Sequence, residues 1–338
     1  MARALRVFLW RLERAQGRKV GTCTPCDSTA PSRPVYFFSM HTLNGFFINL
    51  DRSPERAKQM RAELDARKLG FVERFAAVDA RTLSQPPACK IPMAAYGAFL
   101  SHQMLITQTP PDSVTLIFED DMQVSDSLAG MLSPENLKIL AELDLVFFDC
   151  QLYINFNDLL LRYWEVKRGM PNPRSAGNPE SQQRHAPQVG LGEASGAYCW
   201  GASAYLVTPR GKEKLGPILQ QTLDRGPPGT LDILFRNLIE SKALDARVVV
   251  PFLATPRLDG LTATTIDGRQ QDFLPFALCS MVRRLYFAGD LDIDGMIEFF
   301  APASSGPLPK TEDEMMVELI RQLARGLVHQ RDFLDFGI

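Results

Sequence analysis

Three carboxylates in a row, Glu119-Asp120-Asp121, follow directly on the apolar run Val114-Thr-Leu-Ile-Phe118. Crowding like charges is unfavourable unless a cation compensates. Oxygen-only side chains suit a hard divalent ion such as Mg2+ or Mn2+, which takes one or two carboxylates and fills its shell with phosphate oxygens and water. Bound there, such an ion would neutralise charge building on a departing phosphate. In an extended segment Glu119 and Asp121 share one side. They are therefore the expected metal ligands, and Asp120, pointing the other way, is expected to orient a neighbouring loop. The competing reading is a solvated turn of acids at a strand end.

A second polar cluster, Asn49-Leu50-Asp51-Arg52, ends another apolar run and is followed by Arg56. An Asp at a strand end can accept from ribose or ring donors, and Arg can grip phosphate through two parallel N–H bonds. The same residues also make an ordinary helix-capping turn with a surface ion pair. Ser101 and His102 sit inside the apolar stretch Tyr96–His102, where a histidine is more often a satisfied core group than a ligand. Asp232 opens a helical pattern after Gly226-Pro-Pro-Gly-Thr230, so it either complements the helix dipole or does chemistry.

The elements that must position these groups alternate in type. Gly45–Leu50, Phe71–Ala77, Val114–Phe118, Leu145–Phe148, Ala202–Val207 and Arg247–Phe252 read as strands, most of them short apolar runs. Helices are expected from Pro54 to Lys68, Tyr96 to Thr107, Pro209 to Gln221 and Leu231 to Ser241. Ser53 suits the N-cap of the first and Pro54 its first helical position. Strands alternating with helices imply an α/β fold with a largely parallel sheet, whose ligands gather beyond the carboxyl ends of the strands. Asp51 and Glu119 both fall there. Residues 165–195, rich in Gly, Pro, Ser, Asn and Gln, read as a long loop, and Thr311 to Leu327 as an amphipathic helix.

The chain has 338 residues, 37 Lys plus Arg against 39 Asp plus Glu, and a net charge of -2. That balance argues against a dedicated nucleic-acid binder. No run is long and apolar enough to read as a membrane span, and no clean secretory signal opens the chain. Six cysteines over this length do not make a disulfide framework, and Cys23-x-x-Cys26 lacks a second pair of zinc ligands. Reduced thiols in a cytoplasm are expected. Residues 1–40 carry seven basic side chains before Pro34 against Glu13 and Asp27, with Leu5, Phe8, Leu9 and Leu12 on one helical face. Such a helix can lie on an anionic membrane surface, and a loosely ordered tail ahead of a start at Met40 is the alternative.

Taken in order, these segments resemble glycosyltransferase family 25, the lipopolysaccharide and lipooligosaccharide biosynthesis transferases related to the procollagen galactosyltransferases. The resemblance rests on Phe47-Ile-Asn-Leu-Asp-Arg-Ser-Pro-Glu-Arg56, Arg74-Phe-Ala-Ala-Val-Asp-Ala80, Gly97-Ala-Phe-Leu-Ser-His102, Leu116-Ile-Phe-Glu-Asp-Asp121 and Trp200-Gly-Ala-Ser-Ala-Tyr-Leu-Val-Thr-Pro-Arg-Gly211, with Leu231-Asp232 after them. The chain departs from the pattern at Ala95-Tyr96, where an acidic residue is common, and at Ala80, where glycine is.

The resemblance implies a GT-A-like (Rossmann-like) domain over 41–256 with a partly helical extension over 257–338. It implies transfer of a sugar from a UDP-sugar, often UDP-galactose, to a glycan or lipid-linked saccharide acceptor with inversion at the anomeric carbon. Carried over, Glu119 and Asp121 would hold Mn2+ or Mg2+ against the donor diphosphate. Asn49, Asp51, Arg52 and Arg56 would lie near the nucleotide and Asp79 near the ribose or sugar, while Ser101 and His102 would support the donor pocket. Asp232 and Glu193 are the candidates for the base that deprotonates the acceptor hydroxyl, and Asp120 completes the candidate catalytic carboxylates. The protein would work in the cytoplasm, in peripheral contact with the membrane face. A catalytically inactive sugar-nucleotide or glycan-binding relative is the alternative, and a Mg2+-dependent phosphohydrolase is a third reading of the acidic cluster.

Overall fold

In a computed structural model the fold is described for residues 42–84, 86, 88–152, 189–257, 283–284 and 286–289, with a few positions between 311 and 322. The basic N-terminal stretch, Cys23-x-x-Cys26, most of the Gly/Pro-rich loop and most of the final expected helix lie outside the described residues.

Nine strands are described: β1 (Leu43–Asn49), β2 (Val72–Ala76), β3 (Val114–Glu119), β4 (Met122–Val124), β5 (Leu145–Leu152), β6 (Gly190–Glu193), β7 (Tyr198–Val207), β8 (Ala246–Val250) and β9 (Ala254–Pro256). The helices are α1 (Pro54–Ala66), α2 (Met93–Gln108), α3 (Leu128–Met131), α4 (Pro134–Leu140), α5 (Pro209–Arg225) and α6 (Leu231–Glu240). Seven strands form one sheet in the order β2-β1-β3-β7-β5-β8-β6, and β4 pairs with β9 in a small second sheet. β1, β2, β3, β5 and β8 run the same way, while β7 and β6 run against them. This is the expected mixed, largely parallel Rossmann-like sheet.

Alternation along the central strands divides the core between the two faces of the sheet. Phe47, Leu116, Phe118, Val146, Phe148 and Leu206 pack on one face, against Met60 and Leu64 of α1 and Leu128 and Leu140 of the short helices. Ile48, Ile117, Phe147, Tyr205 and Val207 pack on the other, against Phe99 of α2, Leu215 of α5 and Phe235 of α6. Central strands buried on both faces explain why their sequences read as continuous apolar runs. Tyr198, Tyr205 and Phe235 surround Phe147 on the second face, with ring centroids 4.5, 6.0 and 6.1 Å away.

Three local features differ from the sequence expectation. Gly190–Glu193, expected within the long loop, forms the edge strand β6, paired antiparallel with β8. β7 begins at Tyr198 rather than Ala202, and its register against β5 shifts three times beyond Phe147. Residues 283–284 and 286–289, from the expected C-terminal extension, join the core. Phe287 bridges to Phe252, Ala288 N–H donates to Phe252 O at 2.8 Å, and Ser125 Oγ bonds Ala288 O. Phe287 is fully buried.

Truncating a buried aromatic loses transfer energy and leaves a cavity, at a cost of about 3–5 kcal/mol. Phe287→Ala is therefore expected to lower the unfolding free energy by roughly that amount, read by urea denaturation. A loss below about 1 kcal/mol would show that Phe287 does not belong to the core.

Candidate active site

β3 is buried from Val114 to Phe118 and ends at Glu119, and Asp120 and Asp121 form the turn into β4. Strand alternation therefore stops at Glu119, and the expected placement of Asp120 opposite Asp121 is corrected. Both carboxylates face Arg56 of α1. Arg56 Nη2 pairs with Asp120 Oδ1 and lies 2.9 Å from Asp121 Oδ2. Asn49, at the end of β1, donates from Nδ2 to Asp120 Oδ2 at 2.6 Å. Arg257 fastens the turn from outside: its backbone N–H donates to Asp121 O at 2.7 Å and its guanidinium to Asp120 O at 3.3 Å. Glu119 lies apart, with Oε1 4.0 Å from His102 Nε2.

Charge is distributed unevenly over this cluster. Burial works against the Arg56 cation, but Asp121, Asp120 and Glu119 together outweigh it and raise its pKa. Asp120 loses hydration, and that desolvation raises its pKa although Arg56 and Asn49 pull the other way. Arg56 is thus stabilised by three carboxylates, whereas Asp120 leans on one guanidinium and one amide.

Arg74 of β2 links the next groups along the carboxyl edge. It donates to Asn49 Oδ1 at 2.8 Å and to Asp51 Oδ1 at 2.5 Å. Arg52 reaches Asp79 at 3.0 Å. Asp79 caps the short 3-10 turn Ala80–Thr82, and the Arg81 backbone N–H, followed by Arg52, holds its carboxyl below the usual range. Ser101 Oγ accepts from Val78 N–H at 2.9 Å and donates to Gly97 O at 2.8 Å, which ties this loop to α2. A Cβ at residue 97 would come within 2.7 Å of Val78 O, so the close approach requires glycine.

His102 is buried, and its Nδ1 lies 2.9 Å from Tyr205 Oη. Burial pushes its pKa down to about 4, so it is neutral at pH 7 and makes no ion pair with Glu119 there.

Two groups that the sequence reading passed over complete the centre. Asp149 of β5 is fully buried, and Arg283 grips both its oxygens, Nε–Oδ1 at 3.0 Å and Nη2 to Oδ2. Arg283 also donates to Ser203 Oγ of β7 at 2.9 Å. Desolvation raises the Asp149 pKa, Arg283 opposes it, and Asp121 is near enough to add to the rise. Glu119 is among the charges that support the Arg283 cation. The available signal was the run Phe147-Phe148-Asp149-Cys150, because a carboxylate inside a buried strand demands a cation. Its partner lies 134 residues away, in a stretch with no helical or strand pattern.

The base candidates part company. Asp232, at the start of α6, accepts from Gly201 N–H at 3.3 Å and Ile233 N–H at 2.9 Å and bonds Thr230 Oγ1. Its carboxylate both opens the helix and holds the strand beside Arg283. Glu193 sits on the edge strand β6, separated from β3 by three strands, and pairs with Arg247 at 3.3 Å. The structure does not bring it to the cluster.

A largely parallel α/β sheet with a carboxylate turn and a polar rim at its carboxyl edge is the architecture of a Rossmann-like glycosyltransferase. The sequence model of glycosyltransferase family 25 (LPS biosynthesis protein) matches residues 42–224, and the chain belongs to this family. It is a glycosyltransferase, which uses a nucleotide-sugar donor and a glycan acceptor. A comparison with curated proteins finds no match.

The buried neutral histidine has a pH signature. The unfolded chain protonates His102 near pH 6.5 and the folded chain only near 4, so stability is lost as pH falls through that window. The loss approaches about 3 kcal/mol and stops growing below pH 4. The raised carboxyls Asp120 and Asp149 act in the opposite sense above their ordinary range, so a difference measurement is needed. The stability gap between wild type and His102→Gln is expected to shrink by about 3 kcal/mol from pH 7 to pH 4. A gap that stays constant would contradict a buried neutral imidazole.

Proposed function

We propose that this protein transfers a hexose, galactose from UDP-galactose, to a glycan acceptor such as lipopolysaccharide or another surface polysaccharide, with inversion. The observation that carries this reading is the acid turn Glu119–Asp121 at the end of a buried strand, beside a rim of Asn49, Asp51, Arg52 and Arg74. The rim offers the Asp51 carboxylate for ribose or ring donors and guanidinium groups for phosphate. Among the described residues no group of three His, Cys, Asp or Glu side chains is arranged to hold a metal ion alone. The donor chemistry nevertheless fits a hard ion that takes one or two carboxylates and shares the donor diphosphate. Glu119 and Asp121 are the proposed ligands, and their side chains keep 43% and 19% exposure. A Mg2+ or Mn2+ ion bound there would supply charge neutralisation for the leaving UDP.

The chain's own residues do the remaining work. Arg56 and Asn49 fix the acid turn. Arg52 holds Asp79 toward the ribose side, and Ser101 holds the loop that carries it. In an inverting displacement the acceptor oxygen bonds to the anomeric carbon as the bond to the diphosphate oxygen breaks. The hydroxyl proton passes to a carboxylate, and Asp232 is the proposed acceptor of that proton. Ser101 and His102 support the pocket from α2. We place the protein on the cytoplasmic membrane face, with residues 1–40 as the docking segment and lipid-linked saccharides as acceptors.

Asp121→Ala should lower both sugar transfer and UDP-sugar hydrolysis at least about 100-fold, with an unchanged circular dichroism spectrum. A screen of nucleotide sugars for metal-dependent hydrolysis identifies the donor to use. Full turnover by Asp121→Ala with unaltered Mn2+ dependence would remove the assigned role. UDP binding without turnover over a broad acceptor panel would favour a binding protein instead.

A further inference from the structure

Trp200 is 38% exposed, and among the described residues it is the only exposed large apolar side chain that lies in a strand. An indole left in water on a sheet near a reaction centre is poised for an apolar ligand surface. Its backbone is fixed from several sides through the next residue. Gly201 N–H donates to Asp232 Oδ2 at 3.3 Å, and Gly201 O accepts from Tyr198 Oη at 2.8 Å. Gly201 has φ +105°, which L side chains rarely adopt, and a Cβ there would meet Arg283 Nη2 at 3.7 Å. The exposed ring therefore stands on an immobilised strand, a preorganised arrangement that lowers the entropic cost of binding.

A second observation lies directly across the ladder. Trp200 pairs with Gln151 of β5. Gln151 is 6% exposed, and its Oε1 is buried with no hydrogen-bond partner among the described residues. Native structures leave few such acceptors unsatisfied, and an unpaired one is costly until a donor arrives. An aromatic face beside an amide acceptor is the complement of a pyranose ring, which presents an apolar C–H face and a hydroxyl edge. Arg283 borders this patch, since it lies against Gly201 and grips Asp149, two residues before Gln151 on β5. Asp232 borders the patch through the same glycine.

We infer that Trp200 is a saccharide-stacking platform that takes the C–H face of an acceptor pyranose, with Gln151 Oε1 accepting from a ring hydroxyl. The inference rests on the glycosyltransferase reading and adds the acceptor subsite to it. Asp149 and Arg283 are positioning residues for this strand.

The test titrates the full chain separately with UDP, with UDP-galactose, and with methyl β-D-galactopyranoside and methyl β-D-glucopyranoside without nucleotide, by saturation-transfer NMR. It compares wild type, Trp200→Phe and Trp200→Ala, each checked for an unchanged melting curve. Wild type should bind at least one methyl glycoside. Trp200→Ala should weaken it by about tenfold, the size of a lost aromatic stacking contact, and Trp200→Phe should retain most of it. UDP binding should be equal in all three. Binding of the glycoside that Trp200→Ala leaves unchanged, or no glycoside binding to wild type, would overturn the platform. Weakened UDP-galactose with unchanged glycoside binding would overturn the acceptor assignment in favour of the donor sugar. Absence of UDP binding in wild type would instead overturn the nucleotide reading, since the glycoside arm is read without it.

Discussion

The guanidinium of Arg56, set between Asp120 and Asp121, is the contact on which the site depends. β3 delivers three carboxylates to one edge of the sheet, and their mutual repulsion would splay the turn without a cation nearby. Arg56 comes from the first turn of α1, so the pairing locks that helix to β3. Asn49 comes from the end of β1 and holds the other oxygen of Asp120. The ends of β1 and β3 and the first turn of α1 are thereby fixed at one point. The rim residues Asp51, Arg52, Arg74 and Asp79 then inherit their places from the same end of β1 and from β2, its neighbour.

The opposite flank of the centre is built on different terms. Asp149, fully buried, and Arg283, almost so, form a two-contact pair inside the protein. Removing either partner would leave a buried charge uncompensated, which costs more than the intact pair contributes. The pair joins β5, β7 and a segment well beyond the family-matched residues 42–224. The centre is therefore completed by sequence outside that match, through Arg283 and the Phe252–Phe287 bridge.

Much of this architecture was legible in the residues. The central strands are buried on both faces, so they appear as unbroken apolar runs, and Val114–Phe118 and Leu145–Phe148 fall where expected. Gly70, Pro54 and Pro209 punctuate the helices in the usual way. Other features left no local signal. The turn at Asp120 breaks strand alternation, and only the location of Arg56 in space shows that Asp120 and Asp121 face the same way. β6 hides in a Gly-rich stretch because an edge strand needs little apolar sequence. Arg283 sits in a stretch without periodicity, and its partner could not be named from spacing. Ser101 and His102 are satisfied interior groups, as their apolar setting suggested. Glu193, a candidate base in the expected loop, lies on the edge strand β6 opposite Arg247, a placement with no local signal in the sequence.

The central claim is that the carboxylate turn and a donor diphosphate together hold one divalent cation. Electron paramagnetic resonance of Mn2+ titrated into the protein with and without UDP measures this directly. One tightly bound Mn2+ per chain is predicted when UDP is present, with its signal lost in Asp121→Asn. No bound Mn2+ in the presence of UDP, or a bound ion indifferent to Asp121→Asn, would contradict it.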